Sequence, residues 1–279
     1  MYVKISCMVK KIFITTILAL TAISMLAPFL VMLLISLSTN NEISYIDMSG
    51  LVNNLTFHNY SNVFNTIPVF RYFINSLFVS VFTTIGQVII ATLAGYAFAR
   101  LSFKGRNILF FIILITMFIP PQVNIIPLFF LMRELHLVDT YSALILPGLF
   151  GGFGVFLMRQ HFLSFPGELE DASLIDGCSK LQTFIKIVCP LAIPAMATLA
   201  IFTFISSWNS FIWPLIVTNS EAMRTLPLGL AVFKSSYREV IMWGDLLACS
   251  VVCSLPAIII FLLGKKYIIN DMMKGGVKE

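Results

Sequence analysis

Residues 165–190 concentrate acidic side chains in a chain that has few of them, since charged residues make up only 11% of the sequence. The four carboxylates of this stretch, which we call the acidic loop, are Glu168, Glu170, Asp171 and Asp176. The first three follow Pro166, a residue favoured in the first turn of a helix. Carboxylates in a first turn are stabilised by the positive end of the helix dipole. The pattern therefore predicts a short acidic helix.

The residues after the carboxylates predict a helix–turn–helix. Gly177 is a natural helix stop, so the first helix should cover about 167–176. Ser179 and Gln182 have the S-x-x-Q spacing of a capping box, which predicts a second helix leading towards Pro190.

The first helix also carries an apolar stripe spaced by three residues, formed by Leu169, Ala172 and Ile175. Acidic residues flank this stripe on the same helix. Such a stripe either packs on its own protein or docks into a groove of a partner. The sequence leaves both possibilities open.

Other patterns of chemistry are not found in the sequence. There is no G-x-x-x-x-G-K-[ST] motif, and the glycine cluster 148–154 has no lysine, so the chain has no phosphate-binding loop of that type. His58, His136 and His161 lie far apart, which argues against a metal site. No G-x-S-x-G motif supports a catalytic triad. We therefore expect no enzymatic activity, and the five cysteines are interpreted as packing residues.

The composition is that of a membrane protein: 58% of the residues are hydrophobic and 13% are aromatic. A helix needs about 20 apolar residues to cross the bilayer. Six windows satisfy this requirement, and the fold class we predict is an all-α membrane protein with six transmembrane helices. The windows are approximately 12–37, 73–99, 107–132, 141–162, 190–217 and 241–264.

The first window resembles a signal peptide in having Lys10 and Lys11 before an apolar run, but its length to about Leu37 favours an uncleaved helix. Helix breakers interrupt the later windows, with prolines at 120, 121 and 127, a Pro-Gly cluster at 147–154, and prolines around the fifth. Freed backbone groups must be satisfied by other helices or by a wet cavity, so these spans either line a pathway or are merely kinked for packing.

The lysines and arginines favour one orientation. With the N-terminus inside, 13 of the 18 lysines and arginines fall on the cytoplasmic side. Both termini are then expected in the cytoplasm, with the acidic loop on the same side. The net charge of +5 is spread between apolar runs, which fits this topology better than nucleic-acid binding.

Polar residues inside spans are costly and are therefore candidates for a substrate path. We select Gln122, Asn124 and Asn209, together with Trp208, whose ring lies next to Asn209 in sequence. Amides beside aromatic faces suit sugars. The alternative for the tryptophans is an aromatic belt at the outer interface.

The acidic loop resembles the E-A-A-x-x-x-G-x9-I-x-L-P signature of type I ABC importer permeases. The matching elements are, in order, Asp171-Ala172-Ser173, Gly177, Ile187 and Val188-Cys189-Pro190. The departures are Asp171 for Glu, Ser173 for Ala and Cys189 for Leu, each conservative in charge or size. In this family the loop is the coupling helix, which inserts into a cleft of the nucleotide-binding subunit.

The resemblance extends over roughly residues 70–279 and is greatest to the carbohydrate-uptake branch, with maltose-type second permeases. The segments that carry it are 71–76 (RYFINS), 95–100 (GYAFAR), 103–106 (FKGR), 208–215 (WNSFIWPL), 225–230 (TLPLGL) and 276–278 (GVK). It implies three domains: a first transmembrane helix and external loop over 1–70, an ABC type-1 transmembrane domain over 71–265, and a cytoplasmic tail over 266–279.

The resemblance also implies partners and a location. They are ABC ATPase subunits, which would hold ATP and Mg²⁺, a homologous second permease, and an extracytoplasmic solute-binding protein, all at the cytoplasmic membrane of a bacterium or archaeon. The solute would be a sugar or a related small polar molecule. The alternative is a secondary transporter driven by an ion gradient, for which internal repeats would be expected and none is found.

Overall fold

The computed structural model describes residues 2–38, 55–236 and 242–276, and within these ranges the chain is helical and has no strand. The prediction of an all-α protein is confirmed. Residues 39–54, in the expected external loop, and residues 237–241 and 277–279 lie outside the described part, as does the end of the 276–278 segment. The last helix, Trp243–Gly276, includes most of the expected tail.

The described residues contain up to six candidate spans if each bent helix pair is counted as one span. Three helices in the described part of the chain are long and apolar enough to cross a membrane without a break, and two of them continue through an internal proline, Pro28 or Pro256. They correspond to the first, second and sixth predicted windows and cover Lys10–Ser36, Val69–Arg100 and Trp243–Tyr267.

The other three windows are helix pairs bent by 43° to 93°. The pairs are Arg106–Thr116 with Pro121–Glu134, Tyr141–Gly148 with Gly152–Leu163, and Lys180–Leu191 with Ile193–Trp208. The sharpest bend, 93°, precedes Pro121, as expected where proline removes a backbone donor. The predicted breakers therefore break the third, fourth and fifth spans.

The predicted end of the fifth window is wrong. Its helix ends at Trp208, and a separate helix covers Ile212–Val217. Proline clashes with the carbonyl four residues before it, so Pro214 cannot continue a helix through Ser210. The chain accordingly leaves helical geometry between the two helices.

The chain forms two compact units. One combines Met1–Val69 with Leu230–Ser254, and the other combines Phe70–Gly229 with Leu255–Glu279. In the first unit, helix His58–Thr66 is tied to the end of the first span, because the Asn59 side-chain amide donates to the carbonyl oxygens of Ser36 and Ser38 at 2.9 and 2.7 Å.

The second unit holds the largest core cluster around Ala91, Val155, Met158 and Leu199, all 1% exposed or less. Phe184 and Val188 of the acidic loop belong to the same cluster. Between membrane spans such side chains stabilise the fold mainly through van der Waals packing. The loop is therefore fixed to the second, fourth and fifth spans by the main core.

Short helices complete the described part of the chain. Within the pairs, 3-10 turns cover Pro121–Asn124 and Leu146–Gly148. The remaining short elements are helix Glu168–Ile175, the 3-10 turn Glu221–Met223 and helix Leu226–Ser236.

Candidate functional site

The acidic helix runs from Glu168 to Ile175, as predicted, and ends in a Schellman motif. Gly177 has the left-handed φ of +82° that this motif requires. Its N–H donates to the carbonyl of Leu174 at 3.1 Å, and the N–H of Cys178 donates to the carbonyl of Ser173 at 3.0 Å. The predicted helix stop is confirmed.

The predicted capping box is also present. The N–H of Ser179 donates to Gln182 Oε1 at 2.8 Å, and the N–H of Gln182 donates to Ser179 Oγ at 3.3 Å. Helix Lys180–Thr183 then passes into a π-helical turn, Phe184–Val188. The chain continues through Cys189–Leu191, where Pro190 is exposed.

A buried hydroxyl pair joins the two halves of the acidic loop. Ser173 Oγ and Thr183 Oγ1 lie 2.7 Å apart and share a hydrogen bond. The two residues are 3% and 2% exposed. Ser173 stands where the family signature has alanine, and the sequence alone indicates only a conservative change. The structure shows that its hydroxyl connects the acidic helix to the helix after the turn.

A second contact holds the acidic helix to the end of the second span. Arg100 Nε lies 3.0 Å from Glu170 Oε1 in an ion pair, and both side chains are less than one-fifth exposed. Tyr96 donates to Glu170 Oε2 at 3.2 Å, and Arg100 Nη2 donates to the carbonyl of Phe165 at 2.5 Å. Glu170 thus faces its own chain. The sequence grouped it with the other carboxylates and gave no sign of this difference.

The opposite face of the acidic helix points to the outside of the chain. Glu168, Asp171 and Asp176 are exposed. So is the predicted apolar stripe: Ala172 is exposed, Leu169 is 45% exposed and Ile175 is 87% exposed. Within the described residues the stripe does not pack on its own protein, and it combines an apolar tip with negative flanks.

A cavity of about 920 Å³ lies within the second unit, between the broken spans and the second span. Three of the four predicted path residues line it, namely Gln122, Asn124 and Asn209. Its wall also holds hydroxyl and amide side chains from the second span, including Thr83 and Gln87. The helix breaks therefore border a mainly apolar space that contains amide and hydroxyl side chains.

Trp208 is not among the residues that line the cavity. The sequence prediction that placed it in the substrate path is therefore corrected. Its side chain is 1% exposed and stacks on Phe204 at a centroid distance of 5.8 Å. Phe73 contacts it edge-on at 5.5 Å. The helix turns the indole into the core and leaves the next residue, Asn209, at the cavity. Trp213 does line the cavity, and its Nε1 donates to the carbonyl of Ala143 at 2.9 Å.

At the break of the fourth span, the backbone of Gly151 closely approaches the Gln87 side chain of the second span, and this contact shapes the cavity. A Cβ on Gly151 would lie 2.3 Å from Nε2 of Gln87, a distance that real Cβ atoms do not tolerate. Glycine at 151 therefore leaves the Gln87 amide in its present position, and any larger residue would displace it. The sequence identifies the glycine cluster as a helix breaker. It does not show that Gln87 of the second span lies against this cluster.

Two segments that carry the family resemblance, 71–76 and 225–230, meet near the N-terminal end of the second span. The Asn75 side-chain amide donates to the carbonyls of Ala222 and Arg224 at 2.8 and 2.9 Å. The N–H of Leu226 donates to Ser76 Oγ at 2.7 Å. Residues 71–76 thus hold the turn that precedes residues 225–230.

Asp139 organises a neighbouring turn. Its Oδ1 accepts hydrogen bonds from the N–H groups of Asn219 and Ser220 at 2.9 and 3.0 Å. Burial acts to raise the pKa of Asp139, but the hydrogen bonds from Ser220 and Asn219 outweigh it and lower the pKa below its ordinary value. The carboxylate form therefore stabilises this turn.

The described residues contain no group of three or more His, Cys, Asp or Glu side chains that could hold a metal ion. Cys178, Cys189, Cys249 and Cys253 do not form disulfides.

Comparison with known proteins agrees with this geometry. The family described as "Binding-protein-dependent transport system inner membrane component" matches residues 87–272. The chain belongs to this family.

Relatives match this permease over nearly its whole length. It is 38% identical over 273 residues to the arabinooligosaccharides transport system permease protein AraQ of Bacillus subtilis, covering 97% of this chain and 96% of that protein. It is 32% identical over 265 residues to the trehalose/maltose transport system permease protein MalG of Thermococcus litoralis, covering 93% and 94%.

A solved structure has the same fold. A chain of a bacterial ABC transporter involved in the import of the acidic polysaccharide alginate superposes with a TM-score of 0.83, at 26% identity, covering 94% of this chain and 97% of that one. The protein is thus a multi-pass membrane permease subunit of an ABC importer, and not an enzyme. The family assignment supports this reading and not the ion-gradient-driven alternative.

Proposed function

We propose that this permease imports a sugar or a related small polar solute, and that its acidic loop couples transport to ATP hydrolysis on a separate ATPase subunit. The coupling residues are those of the family signature and its flanks. They are Glu168, Glu170, Asp171, Ala172, Ser173, Asp176, Gly177 and Pro190.

One observation carries the coupling proposal: the acidic helix is rigidly held on one face and exposed on the other. Glu170 and Ser173 attach it to the chain, whereas Asp171 and Ile175 project from it. A helix that exposes an apolar tip with charged flanks is suited to a complementary groove. Because it is attached to the second span through Arg100, a force on the helix is transmitted to that span.

The proposed assembly contains two permease chains, this one and a homologous partner, with two ATPase subunits that hold ATP and Mg²⁺. A solute-binding protein delivers solute at the outer face, in agreement with the family description. ATP binding stabilises the outward-facing state and hydrolysis resets it, which is a population shift transmitted through the loop. Both termini lie in the cytoplasm in this proposal, on the side of the acidic loop.

The sugar assignment is supported by relatives whose names describe arabinooligosaccharide and trehalose/maltose transport. The amide, hydroxyl and aromatic side chains that line the cavity are consistent with such solutes. Its path residues are Gln122, Asn124 and Asn209.

Purification in mild detergent tests the coupling proposal. The native importer, isolated through a tag on this permease, should retain a stoichiometric ATPase. Asp171→Lys reverses a charge on the exposed face and should reduce the retained ATPase, whereas Glu134→Lys, an exposed residue after the third span, should not. Equal ATPase retention by wild type and Asp171→Lys would contradict docking through the acidic flank.

A further inference from the structure

The cavity of the second unit lies beside the middle part of the second span. Gln87, on its wall, is near the middle of the helix Val69–Arg100, which at 1.5 Å per residue places it about 20 Å from the end at Arg100. Cavities of about 300–1,000 Å³ are typical of small-molecule sites, and this one has about 920 Å³. The space is therefore large enough for a small oligosaccharide at membrane depth.

The wall of this cavity is uncharged, with amide and hydroxyl side chains set in a mainly apolar surface. Among the described residues that line it, none is Lys, Arg, His, Asp or Glu. An anion in a low-dielectric site without a counter-charge loses its hydration and gains no ion pair in return. The cavity therefore disfavours phosphorylated or carboxylated solutes.

The amides of the wall are available for a ligand. The side chains of Gln87, Gln122, Asn124 and Asn209 make no hydrogen bond to any described residue. Each amide offers two N–H donors and one oxygen acceptor. A sugar hydroxyl can therefore both donate a hydrogen bond to the amide and accept one from it. The rings of Phe150, Phe211 and Trp213 line the same space and offer apolar faces for the C–H side of a sugar ring.

We propose that this permease itself binds an uncharged di- or trisaccharide in this cavity, with the Gln87 amide as a ligand near the membrane midplane. The proposal rests on the sugar-import function above and narrows its solute to neutral carbohydrates. Gly151 is part of the site, because its missing side chain leaves the space that Gln87 occupies.

Equilibrium dialysis of the purified importer, without ATP and without the solute-binding protein, tests the site directly. The neutral probes are radiolabelled arabinotriose and maltotriose, and the anionic probe is radiolabelled trigalacturonate. At least one neutral probe should bind and trigalacturonate should not. Gln87→Leu should weaken neutral binding about fivefold to tenfold, the effect of one lost hydrogen bond.

The matched control is Gln160→Leu, which changes the same residue type at an exposed position of the fourth span that is not part of the cavity wall. It should leave binding unchanged. If Gln87→Leu lowers the yield of assembled importer, Asn209→Leu replaces it, since that side chain is exposed at the wall.

Three results would overturn the inference: no neutral probe binds, trigalacturonate binds as well as the neutral probes, or Gln87→Leu binds like wild type. Each is scored only in preparations that retain the ATPase. Failure of the importer proposal is seen separately, as absence of a co-purifying ATPase or of ATP-dependent uptake.

Discussion

Replacing Gly177 should impair coupling while leaving the permease in the membrane. The residue has φ = +82° at the turn between the acidic helix and the capping box. Ala and Val at this position should reduce ATP-dependent uptake in a graded order, with Val worse than Ala. The reason is that a β-branched residue is less tolerant of positive φ.

The size of the effect follows from the backbone alone. A Cβ on Gly177 would have no atom within 4 Å, so packing contributes no clash. The left-handed conformation costs a residue with a Cβ about 1–2 kcal/mol. That changes the ratio of native to non-native turn conformations by a factor of about 5–30.

Two other glycines provide matched controls. Gly167 also has open space around its Cβ position but a helical φ of −64°, so Gly167→Ala carries no strain. Gly105 has the same φ of +82° and the same open space, but it precedes the third span. Gly105→Ala therefore reproduces the strain outside the acidic loop.

Proteoliposomes with the complete importer supply the assay, with uptake and ATPase rate measured in parallel. Gly177→Ala should lower uptake per ATP hydrolysed, whereas Gly167→Ala and Gly105→Ala should match wild type. The reasoning would be refuted if all three variants behaved alike, or if Gly177→Val supported full uptake.

Three further predictions concern the contacts that hold the site. A double-mutant cycle of Arg100→Ala and Glu170→Ala, measured by thermal unfolding, should give a coupling free energy of about 1–3 kcal/mol. This value lies between those of exposed and buried ion pairs. Additive effects of the two substitutions would contradict the ion pair. Ser173→Ala should destabilise the purified permease by about 1 kcal/mol through loss of the hydrogen bond between the Ser173 and Thr183 hydroxyls, while Ala172→Ser, on the exposed face, should not. Asp139→Asn should cost about 1 kcal/mol at pH 7, because the folded pKa of Asp139 is lowered and its stabilisation is present above the unfolded value of about 3.9. The stability difference between wild type and Asp139→Asn should vanish as the pH falls through the folded pKa. If thermal melts from pH 7 to pH 3 gave the same difference at every pH, the charge of Asp139 would be excluded as its cause.

Local signals made the acidic loop predictable. Gly177 and the Ser179–Gln182 pair act within four residues of chain, so their geometry depends little on distant contacts. The helix, its stop and its capping box could therefore be identified before the structure was seen. The six apolar windows were predictable for a similar reason, since span length is set by bilayer thickness.

Contacts distant in sequence were not predictable. Nothing near Glu170 distinguishes it from Asp171, because its partner Arg100 lies 70 residues earlier. Trp208 and Asn209 are adjacent, yet one is buried and the other lines the cavity, a difference fixed by where the helix ends. Spacing alone does not specify which neighbour faces which way when both sides of a helix are apolar.

Gly151 and Gln87 occupy one shared volume, although they belong to different spans. A side chain at 151 would displace the Gln87 amide from its present position, because the added Cβ would overlap with Nε2. Substitutions at the two positions should therefore be correlated during divergence of the family. A change in solute range that acts through Gln87 would then be accompanied by a change at Gly151, on the same cavity wall.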